Sequence, residues 1–285
     1  MNITFIGFGE AGRAFAESLL VQGDHAITAY DRLDDDAMCE AMTSRGIRRA
    51  TSPAEAVSGA DWIISAVTAD QSLAAAESVA DALEQRQVFF DINSVSPDRK
   101  RETAKLVDVR AAHYVDMAVM APVHPQGHAT PVLIAGPNAP DLAEALAQAG
   151  FSFEVVGETA GEATAVKMVR SLFVKGLEAI TVEAALAAAA SGCFDRVMAS
   201  LEKTYPGLGW PDNVSYNFER TLRHGARRAS EMRESAATLD ALGLSGDLGA
   251  EIAAVQDRMG ALPTVEVPDG TLEEAALAIL QMRRS

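Results

Sequence analysis

Lys167 lies inside an apolar run, Gly161-Glu162-Ala163-Thr164-Ala165-Val166-Lys167-Met168-Val169-Arg170-Ser171, where an ammonium group is out of keeping with its neighbours. Burial and a nearby cation lower the pKa of a lysine, so that it can take a proton from a hydroxyl near neutral pH and later return it. Arg170, one helical turn further on, is such a cation. The plainer reading is a lysine at a domain boundary that lays its stem on apolar surface and keeps its charge in water.

A second group of residues points to a partner for that proton transfer. Gly7-Phe8-Gly9-Glu10-Ala11-Gly12 follows the apolar run Ile3 to Ile6 and precedes the amphipathic run Ala14, Phe15, Leu19, Leu20. In that strand-to-helix context G-x-G-x-x-G is a dinucleotide fingerprint. Its first glycine makes the turn, the second admits the pyrophosphate, and the third lets helix and strand pack closely. The unpaired N–H groups of the helix start then face an anion. A tight turn without a ligand is the alternative. Asp31 ends the next apolar run at the distance expected of a carboxylate that binds the adenosine ribose hydroxyls, which favours NAD. Arg32 beside it either pairs with a 2′-phosphate, which would admit NADP, or is a surface cation next to Asp34-Asp35-Asp36. Val67 and Thr68 end the fourth strand and Asn93 and Ser94 the fifth, at the carboxyl edge where cofactors bind. Asn93 and Ser94 either hold the nicotinamide carboxamide or a substrate hydroxyl, or cap the helix that starts near Pro97, for which Ser96 is the better cap.

The elements that position these groups follow from the patterning. Short β-rich runs near 2–6, 26–31, 46–49, 61–67, 87–91, 113–118, 131–135 and 152–156 alternate with helical patterns, the signature of an α/β doubly wound, Rossmann-type parallel sheet. From Gly161 the pattern becomes helical. One proline-free run to about residue 191, closed by Gly192, would span roughly 45 Å and so bridge domains. Lys167, Ser171 and Glu178 share one face of it. Helices are then expected at about 194–203, 211–242, 246–260 and 271–283, the last opened by the capping box Thr271 to Glu274. The expected organisation is a cofactor-binding domain over 1–160, an interdomain helix over 161–192, and an all-α C-terminal domain over 193–285.

Composition narrows the function. A net charge of −16 argues against nucleic acid or an anionic membrane as partner, so an anionic substrate would need a local basic pocket. Cys39 and Cys193 are far apart and no Cys/His cluster exists, so neither a disulfide framework nor a metal site is expected. A chain that enters a strand at its second residue, with no apolar run of membrane-spanning length, is expected to be cytoplasmic. A basic cluster, Arg220, Arg223, His224, Arg227 and Arg228, either holds an anionic substrate or pairs with Glu219, Glu231 and Glu234 at helical spacing.

Three stretches together resemble the β-hydroxyacid dehydrogenases, the family of 3-hydroxyisobutyrate and 6-phosphogluconate dehydrogenases, over the whole chain. Residues 5–12 look like the cofactor loop, Asp91-Ile92-Asn93-Ser94-Val95-Ser96-Pro97 like the D-x-S-T-x-x-P segment beside the nicotinamide, and residues 161–167 like G-x-G-x-x-x-K, whose lysine is catalytic. The resemblance implies an NAD(P)-dependent oxidoreductase that moves a hydride between a small polar hydroxy acid and the nicotinamide, with Lys167 as acid and base. NAD is preferred and NADP possible. It places Asp116-Met117-Ala118-Val119-Met120-Ala121-Pro122, with Met120, at the substrate and the loop of His124 and His128 over it, where those two either bind substrate or are ordinary loop histidines; Ser94, Arg170, Ser171 and His224 are further expected substrate contacts. Two departures stand out. Residues 116–122 lack the serine and glycines of D-A-P-V-S-G-G, and Lys167-Met168-Val169-Arg170-Ser171 replaces K-x-x-N-N. Two rival readings remain: an imine or carbonyl reductase of this fold, which Lys167 argues against, and a non-catalytic cofactor-binding module. A homodimer through the helical domain is expected, with Ala179, Val182, Ala185 and Leu186 as contact positions.

Overall fold

The structure, a computed structural model, describes residues 1–284. Eight strands, β1 (Asn2–Ile6), β2 (Ala26–Tyr30), β3 (Arg48–Arg49), β4 (Trp62–Ser65), β5 (Val88–Asp91), β6 (His113–Val119), β7 (Val132–Ala135) and β8 (Phe153–Gly157), form one sheet in the order β3-β2-β1-β4-β5-β6-β7-β8. Each run expected from the sequence is a strand, with ends that differ by at most two residues. All neighbours are parallel except β6 and β7, which are antiparallel, so the sheet is mixed and not purely parallel. The central strands are apolar on both faces because helices cover both. Phe5, Trp62 and Phe90 face one core with Phe15 and Phe151, and Ile6, Ile63 and Phe89 face the other with Val79 and Tyr114.

The order of strands reverses between β1 and β4, and the crevice at their carboxyl ends is the ligand position of doubly wound sheets. Around the sheet lie α1 (Glu10–Gln22), α2 (Asp36–Thr43), α3 (Pro53–Val57), α4 (Ser72–Ala80), α5 (Pro97–Asp108) and α6 (Ala143–Gln148). Local signals act as the sequence suggests at two of their starts. Asp35 caps α2 through the Met38 N–H, and Ser52 caps α3 through the Glu55 N–H ahead of Pro53. Ser96 stands at the start of α5 in extended conformation, but its side chain makes no capping bond.

A single helix, α7 (Glu162–Ala190), follows the sheet, and then α8 (Phe194–Thr204), α9 (Asp212–Ala241), α10 (Asp247–Gly260) and α11 (Leu272–Arg284). Thr271 and Glu274 exchange the two bonds of a capping box. The chain divides into two compact units, Met1–Met168 and residues 169 onward, so the division falls inside α7 just past Lys167. The second unit has its own core, with Val182, Leu186, Phe194, Phe218, Leu222, Met259 and Ile279 buried together. That core corrects one expectation. Ala179, Val182, Ala185 and Leu186 are at most 4% exposed and fill their own subunit's interior, so they are not contact positions for a second one. The large exposed apolar residues of α7 lie on another face: Val166, Val169, Phe173 and Ile180, at 47, 52, 70 and 66% exposure. Among the described residues, no helix is long and apolar enough to cross a membrane.

Candidate active site

The glycine loop joins β1 to α1 at the crevice. Gly7 has φ +92°, a conformation L side chains rarely adopt, and a Cβ there would lie 2.5 Å from the Ala66 carbonyl oxygen of the neighbouring β4 turn. Gly12 sits so close to this turn that a Cβ would lie 2.6 Å from the Gly7 carbonyl oxygen. Gly9 is the opposite case, with nothing within 4 Å of where its Cβ would be. It stands at the N-cap of α1, whose first N–H groups receive no side-chain cap. Space beside the backbone and uncapped donors at a helix start are the features a dinucleotide pyrophosphate needs, so the loop fits the cofactor. Glu10 is exposed, Ala11 half-buried, and the Phe8 ring buried in the core beneath.

Asp31 is tied to that loop. Its Oδ2 accepts the Phe8 N–H at 2.6 Å and its Oδ1 the Leu33 N–H at 2.9 Å, which fixes the carboxylate at the rim of the crevice with lone pairs to spare. Arg32 donates to Gln71, on the short turn after β4, instead of pairing with the aspartate triplet. Val67 is half-buried and Thr68 exposed at that same turn. Hydrogen bonds from Thr68 and Gln71 hold the Asp70 carboxyl below its usual range.

Asn93 departs from expectation. It is 3% exposed, its Oδ1 accepts the Val67 N–H at 2.7 Å, and its Nδ2 donates to Ser65 and Ser72 Oγ at 2.9 and 3.3 Å. The amide therefore locks the β4 turn to the β5 tail, with its Oδ1 and Nδ2 engaged by Val67, Ser65 and Ser72. Ser94 is the neighbour that faces a functional group. Its Oγ accepts a hydrogen bond from Lys167 Nζ at 2.6 Å, bringing together two residues 73 positions apart.

Met120 is half-buried beside Ala118, Ala135 and Ala163, which makes this an apolar stretch where the usual serine and glycines would offer donors. His124 is exposed. His128 is not a loop group over a ligand: it is buried, its N–H donates to Ser18 Oγ at 2.8 Å and its Nδ1 lies 2.7 Å from the same oxygen, pinning the loop to α1. In the second unit Arg170 is exposed, whereas Ser171 is buried and accepts from Lys175 Nζ at 3.3 Å, so its hydroxyl is occupied. Glu178, on the same helix face, pairs with buried Arg228. The basic cluster is mostly self-neutralised, with Arg223 on Glu219 at 3.1 Å and Arg227 on Glu231 at 2.7 Å. His224 is half-buried among them.

Sequence reasoning missed Lys100. In Asp98-Arg99-Lys100-Arg101-Glu102 it reads as one charge among many on a wet helix, yet it is fully buried against Asp91 and Asp116. The available signal was the pair of aspartates inside apolar strands, which require a buried cation.

A family model described as the NAD binding domain of 6-phosphogluconate dehydrogenase matches residues 2–141, and one described as a domain of unknown function (DUF1932) matches residues 188–259. A conserved hypothetical protein from Sinorhizobium meliloti is 34% identical, with 98% of this chain and 97% of that one covered and a TM-score of 0.77. The 3-hydroxyisobutyrate dehydrogenase of Mycobacterium tuberculosis, solved with L-serine, shares the fold at 18% identity, covering 98% of each chain with a TM-score of 0.76. An imine reductase from Aspergillus terreus, solved with NADPH4, shares it at 18% identity over 90% of this chain and 92% of that one, TM-score 0.60. The chain belongs to the β-hydroxyacid dehydrogenase family, of which it is a divergent member.

Proposed function

We propose that this protein is an NAD(P)-dependent dehydrogenase of a small polar hydroxy acid, with Lys167 as the general acid and base. The observation that carries the reading is the 2.6 Å hydrogen bond between Lys167 Nζ and Ser94 Oγ at the carboxyl edge of the sheet. When bound, the nicotinamide cofactor supplies the hydride acceptor. Gly7 to Gly12 would hold its pyrophosphate and Asp31 its ribose, with Val67 and Thr68 along the crevice. Lys167 takes the proton of the substrate hydroxyl during oxidation and returns it during reduction, and Ser94 orients the ammonium and the hydroxyl. NAD is the preferred cofactor because the Asp31 carboxylate repels an added 2′-phosphate, although the imine reductase of the same fold was solved with an NADPH derivative.

Residues 1–160, within the first unit, serve as the cofactor domain, 161–192 as the connecting helix, and 193–285 as the substrate and dimerisation domain. Met120, His124, Arg170 and His224 are the proposed substrate contacts, with the cations serving an anionic group. Absence of the serine and glycines at residues 120–122 supports a substrate bound differently from that of the usual family member. The assembly is a homodimer, supported by the exposed apolar stripe on α7.

Small hydroxy acids screened for NAD reduction identify the activity, and Lys167→Ala tests its mechanism. The variant should bind NADH as the parent does and lose roughly 10²- to 10⁴-fold in kcat. In the parent, oxidation should fall as pH drops and the lysine keeps its proton. Activity within a few-fold of the parent would remove Lys167 as acid and base.

A further inference from the structure

Lys100 has 0% exposed surface, and three oxygens surround its Nζ: the Asp91 carbonyl at 2.6 Å, Asp91 Oδ1 at 2.9 Å and Asp116 Oδ1 at 3.5 Å. Both aspartates are also fully buried. Burying three ionisable groups is costly unless each is paired and hydrogen-bonded, so the cluster needs an explanation beyond packing. The other contacts of the two carboxylates supply one.

Asp91 ends β5. Its Oδ1 accepts the Asn93 N–H at 3.0 Å and its Oδ2 the Tyr114 hydroxyl at 3.0 Å, so the carboxylate and Lys100 together fix the course of the tail that carries Ser94. Asp116, its register partner on β6, serves the other segment. Its Oδ2 accepts the Gly161 N–H at 3.1 Å and the Thr164 N–H at 2.9 Å, which are donors at the start of α7. A carboxylate there satisfies orphan N–H groups and complements the helix dipole. Lys167 follows Thr164 by three residues, one turn along α7. The two segments also touch directly, since Gly161, at φ +96°, packs where a Cβ would lie 2.9 Å from the Pro97 carbonyl oxygen.

We propose that Lys100, Asp91 and Asp116 form a buried positioning bridge that sets the approach of Lys167 to Ser94, one aspartate holding the β5 tail and the other the first turn of α7. The bridge rests on the reading of Lys167 as acid and base for its catalytic consequence, but its geometry does not. Lys100 and the aspartates touch no reacting atom; they act through the two residues they place. A proton-transfer group displaced by about 1 Å can lose on the order of 10²-fold in rate, so a clamp at both ends of the pair has a kinetic role.

The test compares Asp116→Ala, which removes the one oxygen that accepts both N–H groups at the start of α7 and leaves Lys100 balanced by Asp91, with Asp116→Asn, which keeps a carbonyl acceptor. The direct readout is the acetylation rate of Lys167 by acetic anhydride, measured by mass spectrometry against exposed Lys203 in the same folded protein. In Asp116→Ala, Lys167 should react about fivefold faster relative to Lys203, with kcat down about 10- to 100-fold and NADH affinity within twofold. Asp116→Asn should stay within about threefold of the parent on every measure. If Asp116→Ala does not fold, Lys100→Met combined with Asp91→Asn breaks the bridge without leaving an unbalanced cation, and the same rise in Lys167 labelling is expected. Unchanged labelling in a folded bridge-breaking variant, or equal losses in Asp116→Ala and Asp116→Asn, overturns the proposal. A shift in labelling in a protein with no dehydrogenase activity leaves the bridge standing and removes the functional reading instead.

Discussion

Ser94 Oγ and Lys167 Nζ stand 2.6 Å apart, one on the tail of β5 and the other in the second turn of α7. The hydroxyl accepts from the ammonium, so it points the lysine and keeps its own proton to donate, in the proposed reaction to a substrate oxygen. Ser94→Ala should therefore lower kcat by about tenfold with little change in NADH binding, and Ser94→Thr should recover most of it. Steady-state rates with NADH titration decide this. A full rate in Ser94→Ala would leave the contact as packing only.

Asp31 has two tasks, since the oxygen that accepts the Phe8 N–H belongs to the carboxylate proposed to select the cofactor. The parent should bind NAD more tightly than NADP. Asp31→Ser should weaken NAD and narrow or reverse the preference, with Arg32 then free to attract the added phosphate. Dissociation constants for both cofactors on both proteins test this, and NADP bound as tightly as NAD by the parent would sink it.

His128 links stability to pH. Desolvation by burial holds its pKa below the usual 6.5, with the nearby His25 acting in the same direction and a hydrogen bond to the Ala149 backbone opposing them. A histidine kept neutral in the folded state binds fewer protons there than in the unfolded chain. Its contribution to stability is complete above about pH 6.5 and is lost as pH falls through the lowered folded value. Melting temperature should drop between pH 7.5 and 5.5, and drop less in His128→Leu, where Ser18 still donates to the Ala14 carbonyl. Parallel curves for the two proteins would show that another group carries the acid sensitivity.

Phe173 is 70% exposed and Ile180 66%, seven residues apart on one face of α7. If that stripe joins two copies, Phe173→Glu should shift a dimer to a monomer in sedimentation at micromolar concentration, because a charge set in an apolar contact lacks a partner. A parent protein that already sediments as a monomer refutes the dimer.

Local chemistry was enough to read much of this protein. A glycine loop between an apolar strand and an amphipathic run has few other uses, and short-range rules for caps and periodicity located all eight strands and every long helix. Lys167 stood out for the same reason, as a cation in an apolar helical run with a second cation, Arg170, one turn on. Hydrogen bonds between distant segments have no such local trace. Nothing in Asp91-Ile92-Asn93-Ser94 says that the asparagine amide is consumed by Ser65, Ser72 and Val67 while the serine next to it meets Lys167. Likewise Lys100 looks like surface charge until β5, β6 and α5 close around it, because whether a charge is solvated or buried depends on what the rest of the chain packs against it. Periodicity places residues on a face, and only the fold decides which face is covered: Val182 and Leu186 turn inward and Phe173 and Ile180 outward.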